Sequence, residues 1–196
     1  MAEMSVAMRE RWFQSGLPEV EGRGLRLRSL GREDAEDVYR LYCDREAVRF
    51  GYAPRMVELS DAVAVIDETR RLAAEKTIFH WGVASAETGR IIGHATLFHV
   101  DWRHRRGEIG YSVLRDLWGQ GVGTRVVRTL LEFSFGSLDL RRMEADVDPR
   151  NVASLRLLEK VGFRREGLFR ERWEIDGELQ DGVALALLRS EWGGAA

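Results

Sequence analysis

The spacing of apolar and polar residues predicts strands and amphipathic helices from residue 25 to residue 192. Alternating positions predict strands over 25–29, 78–85, 90–100, 107–114 and 142–147. Apolar residues three and four apart predict helices over 33–44, 60–75, 121–138 and 151–161. Strands over 165–175 and 183–188 form a last hairpin around Asp176 and Gly177. Because antiparallel neighbours come first and a strand–helix–strand unit follows, this order predicts an α/β domain with a mixed sheet covered by helices.

The composition is that of one folded domain. The chain has 196 residues, of which 44% are hydrophobic and 32% charged, and this length is enough to close a hydrophobic core. We predict a single domain over residues 25–192 and an N-terminal extension over residues 1–24, in which Trp12 and Phe13 are candidates for docking on the domain. The formal net charge is −2, whereas broad nucleic-acid-binding surfaces are usually basic, so no nucleic-acid partner is expected.

The start of the chain and its cysteine content bear on the compartment. No run of about 20 apolar residues suits a membrane span, and residues 1–10 lack the apolar centre of a signal peptide. Cys43 is the one cysteine, so no disulfide can form within the chain. We therefore expect a cytoplasmic protein without a membrane partner.

The clearest chemical signal is the turn W-G-Q-G-V-G-T, Trp118 to Thr124, which follows a predicted strand and opens a helix. Glycines allow close backbone approach, and the first turn of a helix carries unpaired N–H groups, so this turn suits a diphosphate. A P-loop is excluded because no lysine lies between Trp118 and Leu138, and a dinucleotide fingerprint fails because its third glycine falls on Thr124 or Val126. Coenzyme A remains, or a glycine-rich helix start that binds nothing.

An ordered set of motifs carries a resemblance to a known family. The motifs are E-I-G-Y (108–111), the W-G-Q-G turn, D-P-R-N-V-A-S (148–154), L-E-K-V-G-F (158–163), I-D-G-E (175–178) and L-L-R-S-E-W (187–192). This set resembles the GNAT N-acetyltransferase superfamily, in its RimJ/RimL-type branch of ribosomal-protein N-terminal acetyltransferases, over about residues 25–192. The resemblance implies a mostly antiparallel central sheet splayed to a V, about four flanking helices, and acetyl-CoA as cosubstrate.

The resemblance also implies a set of cofactor contacts. The pantetheine arm is expected to lie in the V, where it would contact the backbone of one strand and one side chain. The diphosphate is expected to bind the glycine turn. The residues that match are Ser112, Val113 and Leu114 on the strand, Asn151 for the side chain, and Gln120, Gly121, Val122, Gly123 and Thr124 in the turn. The tyrosine that many members use as an acid falls on Leu158, so Ser154, which we expect to contact coenzyme A, is the candidate acid.

Two carboxylates are candidates for the base that accepts the amine proton. Glu108 begins the strand that leads to the acetyl group, and the alternative is an ion pair with one of Arg103, Arg105 and Arg106. Glu171 shares strand parity with apolar neighbours, and the alternative is a bulge that turns it outward. For Ser154 the alternative is a hydrogen bond back to the carbonyl of Arg150.

These residues predict acetyl transfer to a primary amine by direct attack in a ternary complex, most simply to a protein or peptide N-terminus. A small amine such as an antibiotic, polyamine or amino acid remains an alternative acceptor, and a non-catalytic coenzyme A sensor is a third possibility. Phe50, Tyr52 and Glu171 are candidates for the acceptor pocket. A homodimer is compatible with the sequence, with Trp102 and Trp192 as exposed aromatic contacts.

No metal site is expected. His94 and His99 have opposite parity on one predicted strand and should face opposite ways, and no pairing of the four histidines has metal-ligand spacing.

Overall fold

The computed structural model describes residues 17–51, 55–74, 78–175 and 177–193, and these form one eight-stranded sheet with helices on both sides. The strands are β1 Val20–Gly22, β2 Leu25–Arg28, β3 Phe79–Ser85, β4 Ile91–Asp101, β5 Arg106–Val113, β6 Arg142–Val147, β7 Arg164–Ile175 and β8 Glu178–Leu188. The α-helices are α1 Ala35–Cys43, α2 Arg45–Val48, α3 Leu59–Ala74, α4 Val122–Glu132 and α5 Val152–Val161. The strand order is β1-β2-β3-β4-β5-β6-β8-β7. The predicted mixed sheet with flanking helices is confirmed.

Two hydrophobic clusters hold the helices against the sheet. On one side, which we call the α4–α5 side, Trp81, Val126 and Leu158 are 0% exposed. On the other, the α1–α3 side, Leu41 and Ile66 are buried with the helices that carry them. Full burial of an aliphatic or aromatic side chain contributes about 1.5–3 kcal/mol, so both clusters stabilise the fold.

Strands β5 and β6 are parallel neighbours that separate. Their pairing runs from Arg106 opposite Arg142 to Glu108 opposite Glu144 and stops there. Beyond that point β5 continues to Val113 alongside β4, while β6 stays paired with β8 as far as Val147. The two strands therefore bound a gap in the sheet, which we call the splay, and backbone groups on its edges lack a neighbouring strand.

The described part of the N-terminal extension lies on the domain. Strand β1 pairs antiparallel with β2, and Trp81 Nε1 donates to the carbonyl of Pro18 at 2.7 Å. Residues 1–16, which include the docking candidates Trp12 and Phe13, lie outside the described residues.

The element boundaries differ from the predictions where local composition is ambiguous. The helix predicted over 121–138 ends at Glu132 and continues as a π-helical turn, Phe133–Ser137, because Gly136 and Ser137 are weak helix formers. Strand β8 begins at Glu178 instead of residue 183, since residues 178–182, which are polar or glycine apart from Leu179, pair with β7 without an apolar pattern. Strand β1 and the single-turn helix α2 were not predicted, because each is too short to show a period.

A bulge of three residues interrupts β7, and it changes the direction in which the side chain of the candidate base Glu171 points. Phe169 pairs with Gly182 and Trp173 with Gln180, so residues 170–172 lie opposite Asp181 alone. Such an insertion ends the alternation of side chains on which the parity argument relied.

The two tryptophans proposed as exposed dimer contacts are partly buried. Trp102 and Trp192 pack against the α4–α5 cluster, and the Trp192 ring lies 6.1 Å from that of Phe135. The prediction that both are exposed was wrong, because each closes an edge of the core.

Candidate functional site

The turn after β5 presents backbone N–H groups at the start of α4. Gly119 and Gly121 have φ of 73° and 76°, a left-handed conformation that favours glycine, and the space where a Cβ would stand is open at both. The first hydrogen bond of α4 joins Arg125 N–H to Gly121 C=O at 3.1 Å. The N–H groups of residues 122–124 precede it and have no partner within the helix, so the turn suits an anion.

Neighbouring side chains hold this turn in place. Trp118 Nε1 donates to the carbonyl of Val113 at 3.0 Å, and Gln120 Nε2 donates to the carbonyl of Asp116 at 2.7 Å. A Cβ on Gly123 would lie 3.0 Å from a leucine methyl of α5. Glycine at this position therefore lets the two helices approach closely beside the splay.

The alternation of backbone groups along β5 determines which of them face the splay. Leu114 N–H donates to Ile92 C=O at 2.9 Å across β4, and Ser112 shares that orientation two residues earlier. The N–H and C=O groups of Tyr111 and Val113 point the other way. Of the three strand residues predicted to bond the pantetheine arm, Val113 faces the splay, while the N–H of Leu114 is already committed to β4.

The start of α5 brings two hydroxyl groups together. Asn151 caps the helix, since its Oδ1 accepts from Ser154 N–H at 3.1 Å. Ser154 Oγ lies 2.9 Å from the hydroxyl of Tyr111, so its partner is that phenol and not the Arg150 carbonyl. Leu158, where the family's tyrosine would fall, is 0% exposed in the core and does not reach the splay.

Glu108 lies on the opposite side of the sheet from Ser154. Its side chain is 13% exposed, and its Oε2 lies 3.0 Å from His99 Nδ1. Burial raises the pKa of Glu108; His99 opposes the rise, while the charges of Asp146 and Glu144 add to it. A carboxylate with a raised pKa is a more effective proton acceptor from an amine than an ordinary surface carboxylate.

The partner of Glu108 corrects two expectations. Two of the arginines named as alternative partners of Glu108 form ion pairs with other carboxylates. Arg105 pairs with Asp139, and Arg106 pairs with Asp101 and Glu144. His99 is available because the register of β4 shifts after Phe98 and His99 takes a φ of 50°. The prediction that His94 and His99 face opposite sides was therefore wrong, since the irregularity reverses the parity.

The acceptor-pocket candidates have different surroundings. The Phe50 ring is half-buried, 5.2 Å from the Arg49 guanidinium and 5.9 Å from that of Arg150, which brings it near the start of α5. Tyr52 lies outside the described residues. Glu171 is exposed in the bulge of β7, with φ of 51°, and its N–H donates to Asp181 Oδ1 at 2.9 Å. The bulge turns it outward, contrary to the parity expectation.

A third carboxylate borders the splay on β6. Asp146 is 6% exposed at its side chain, and its Oδ2 accepts from Arg172 Nε at 3.1 Å and from Trp173 Nε1 at 3.3 Å. These contacts tie the β7–β8 hairpin to the edge of the splay. Glycine at 182 leaves the room that the Asp146 carboxylate occupies.

Three side chains on the α1–α3 side of the sheet, those of Tyr42, His80 and His94, are polar but uncharged. Tyr42 OH lies 2.9 Å from His94 Nδ1, and the rings of His94 and His80 stack at 5.1 Å. Burial lowers the pKa of His80 to about 4 and that of His94 to about 3, the latter with a contribution from His80. Both rings are neutral at pH 7 and do not repel a cationic acceptor.

Together these contacts place different chemistry on the two sides of the splay. Glu108 stands on the α1–α3 side, the hydroxyls of Tyr111 and Ser154 stand on the α4–α5 side, and backbone groups of β5 that pair with no neighbouring strand lie between them. A group bound along the splay can thus meet a base on one side and hydrogen-bond donors on the other.

Sequence reasoning missed three residues of this arrangement. Tyr111 was part of the E-I-G-Y motif, and its odd parity relative to Glu108 was a signal that it faces α5. His99 could not be found, because a register shift leaves no mark in the pattern. Asp146 alternates with apolar β6 residues, which was a usable signal that it faces the α1–α3 side.

Within the described ranges, no cluster of three or more His, Cys, Asp or Glu side chains is arranged to hold a metal ion. No helix in this part of the chain is long and apolar enough to cross a membrane.

Comparison with known proteins gives consistent matches. The sequence profile of the acetyltransferase (GNAT) domain matches residues 24–164. The chain is 32% identical over 170 residues to the uncharacterized N-acetyltransferase p20 of Bacillus licheniformis, covering 87% of this chain and 96% of that protein. It is 24% identical over 171 residues to the spermidine N(1)-acetyltransferase of Escherichia coli K12, covering 86% and 88%. The structure of a ribosomal-protein-S5-alanine acetyltransferase from Vibrio fischeri superposes with a TM-score of 0.73 at 20% identity, covering 89% and 98%.

Proposed function

The chain belongs to the GNAT acetyltransferase family, and we propose that it transfers the acetyl group of acetyl-CoA by direct attack of a protein or peptide N-terminal amine. It is an acetyl-CoA-dependent N-acetyltransferase, so the proposal concerns the acceptor and the roles of the residues. The observation that carries it is the placement of Glu108 and Ser154 on opposite sides of the splay, with β5 backbone groups that pair with no neighbouring strand between them.

The groups around the splay fit acetyl-CoA part by part. The N–H groups of residues 122–124 suit the diphosphate, and the exposed Trp118, 48% accessible, offers an apolar surface beside it. The backbone of Tyr111 and the N–H of Val113 can bond the amides of the pantetheine arm as a strand would, whereas the Val113 carbonyl already accepts from Trp118 Nε1. Because Asn151 Oδ1 is used in the helix cap, its amide NH₂ is the group left to contact that arm.

The chemistry of the amine favours an α-amine as acceptor. At pH 7, deprotonation costs about 1.4 kcal/mol for an α-amine with a pKa near 8 and about 4.6 kcal/mol for a lysine with a pKa near 10.4. A largely buried carboxylate such as Glu108 can accept the proton of an α-amine directly or through one water. The N–C bond then forms, the C–S bond breaks, and the sulfur leaves as a thiolate.

The surface beside the splay suits a polypeptide. Leu168, Phe169 and Leu179 on the β7–β8 hairpin are 55%, 45% and 60% exposed. The Arg172 guanidinium lies 4.9 Å from the Phe169 ring and also bonds Asp146, so these apolar side chains begin at the edge of the splay. An acceptor with apolar side chains can cover such a surface, whereas a polyamine offers only short methylene segments between its charged amines.

A polyamine is the second candidate acceptor. The carboxylates of Glu108, Glu144 and Asp146 share the α1–α3 side, and the negative charges of Glu144 and Asp146 raise the pKa of Glu108. Arginine side chains pair with Glu144 and with Asp146 and reduce the negative potential there in part. Spermidine acetyltransferases are also among the relatives, at 24% identity. A cationic chain with several amines would fit that potential.

An acceptor panel separates these candidates. Purified protein and acetyl-CoA are offered a lysine-free peptide with a free N-terminus, the same peptide N-acetylated with one lysine added, and spermidine, with thiol release and product mass as readouts. We expect kcat/KM to be at least about tenfold higher for the free N-terminus, as the difference in deprotonation cost allows. Preference for spermidine would favour the second candidate. Binding of acetyl-CoA with no thiol release for any acceptor would instead favour a non-catalytic sensor.

A matched pair of variants tests the base. Glu108→Gln should lower turnover while acetyl-CoA affinity is kept. Glu87→Gln removes an exposed carboxylate in the β3–β4 turn and should change neither. Equal turnover in the two variants would remove Glu108 from the mechanism.

A further inference from the structure

The phenol of Tyr111 has a position that the proposed function does not use. It projects from β5 toward the α4–α5 side, where its ring contacts the first turn of α4: a Cβ on Gly123 would lie 3.8 Å from Tyr111 Cε2. Its hydroxyl ends 2.9 Å from Ser154 Oγ. Tyr111 therefore spans from the predicted diphosphate turn to the predicted acid.

The direction of the Tyr111–Ser154 hydrogen bond follows from relative acidity. A phenol is a stronger acid than an aliphatic alcohol, so the favoured arrangement has Tyr111 O–H donating and Ser154 Oγ accepting. Ser154 N–H is fixed by the Asn151 cap at 3.1 Å, which holds the backbone of the serine as well. With its oxygen engaged by Tyr111, the serine has one polar hydrogen left, free to point into the splay.

Proton transfer from this pair to a thiolate is unfavourable. Burial raises the pKa of Tyr111 to about 12, although its contact with Ser154 lowers it somewhat. A thiol has a pKa of about 8.5, and an aliphatic hydroxyl is weaker still as an acid. Both hydroxyls therefore stay protonated while the thiolate leaves, and they can act on it as hydrogen-bond donors only.

We propose that Tyr111 is a positioning residue that orients the Ser154 hydroxyl to donate a hydrogen bond to the thiolate of coenzyme A as it leaves. The inference rests on the proposed function, because it presumes that the thioester lies in the splay. The C–S electron pair stays on sulfur, the amine proton goes to Glu108 or water, and no proton passes from Tyr111 or Ser154. A donor preorganised in this way stabilises developing negative charge without reorganising.

The pKa of the thiol of bound coenzyme A reports this role directly. Binding to the wild-type protein should lower the thiol pKa relative to that of free coenzyme A. The ultraviolet absorbance of the thiolate, measured across a pH series, gives both values. Tyr111→Phe and Ser154→Ala should each raise the pKa of the bound thiol by about 1–2 units, the size of one hydrogen bond to a charged group. The double variant should add little to either, because the two hydroxyls act as one unit. Turnover should fall about tenfold in Tyr111→Phe with the KM for acetyl-CoA nearly unchanged.

Two controls separate the possible outcomes. Tyr39→Phe removes a phenol that donates to the Val57 carbonyl at 3.1 Å on α1, and it should leave the bound thiol pKa unchanged. Desulfo-coenzyme A lacks the sulfur and should bind wild type and Tyr111→Phe equally. An unshifted thiol pKa in both Tyr111→Phe and Ser154→Ala, with desulfo-coenzyme A still bound, would overturn the inference alone. Failure of wild type to bind either ligand would overturn the proposed function.

Discussion

Replacing Gly121 by aspartate puts a negative charge where the diphosphate of acetyl-CoA is proposed to bind. Gly121 is the N-terminal cap of α4, with φ of 76° and open space at its Cβ position. An aspartate there requires no repacking, and left-handed conformations are tolerated by Asp at a cost of about 1 kcal/mol. The fold should therefore survive, so that a loss of binding can be read as electrostatic.

The magnitude follows from Coulomb's law. A charge about 5 Å from a diphosphate of about two negative charges costs about 1.7 kcal/mol at the dielectric constant of water and about 6.6 kcal/mol at an effective value near 20. We expect acetyl-CoA affinity to fall between about 16-fold and about 5 × 10⁴-fold, at 1.4 kcal/mol per factor of ten. The loss should be smaller at high ionic strength, because salt screens the repulsion.

Isothermal titration calorimetry at two salt concentrations measures this effect. Gly121→Asn is the uncharged counterpart, and its affinity should stay within roughly threefold of wild type because Asn also tolerates this conformation. Gly89→Asp is the charge control, since Gly89 has φ of 70°, open space, and a position in the β3–β4 turn far along the chain from α4. If Gly121→Asp binds acetyl-CoA as tightly as Gly89→Asp does, the turn does not hold the diphosphate.

Three further changes test the base, the core and the N-terminal segment. Glu108→Gln should abolish the acid limb of the kcat/KM–pH profile, which in wild type reports a carboxylate with a pKa raised mainly by burial; a retained limb would assign it to another group. Asp37 is 6% exposed, and its pKa is lowered overall because hydrogen bonds from Arg90 and Ile91 outweigh burial, so its stabilisation holds above about pH 4 and is lost below it. Asp37→Asn should lower the free energy of unfolding by about 1–3 kcal/mol at pH 7 in denaturant melts. The variant should also lose less of that free energy than wild type when the pH falls below about 4. Trp81→Phe removes the bond to the Pro18 carbonyl and should speed proteolysis near residue 18, with no change in cleavage if that bond is unimportant.

Long periodic segments made most of the fold predictable from the sequence. The α5 helix shows this well: a cap at Asn151, apolar residues at Leu155 and Leu158, and Gly162 in a left-handed conformation after its end. Short elements such as β1 carry no measurable period. Buried apolar residues continue from α4 through Phe133 and Phe135, so the pattern does not reveal where the α-helix becomes a π-helical turn.

The candidate site was predictable where it depends on backbone, and less so where it depends on register. Gly119 and Gly121 indicated the helix start because their left-handed conformations favour glycine. The pairing of His99 with Glu108 depends on a shift within β4, and the outward turn of Glu171 depends on a bulge in β7. Both irregularities arise from tertiary packing, so the alternation of residue types cannot show them.

The alternation of residues along β5 determines which side of the sheet each group of the candidate site faces. Glu108 and Tyr111 are three residues apart, and because side chains alternate along a strand, they must face opposite sides of the sheet. The same alternation turns the backbone of Tyr111 and Val113 toward the splay, while Ser112 bonds β4. Gly110 lies between the two side chains, where a Cβ would be 3.4 Å from Phe98; a larger residue would fill the space beside Glu108 on the α1–α3 side. The spacing E-I-G-Y therefore has a physical meaning: the proposed base, room for the proposed acceptor and the proposed positioning phenol would all follow from four consecutive residues in one extended conformation.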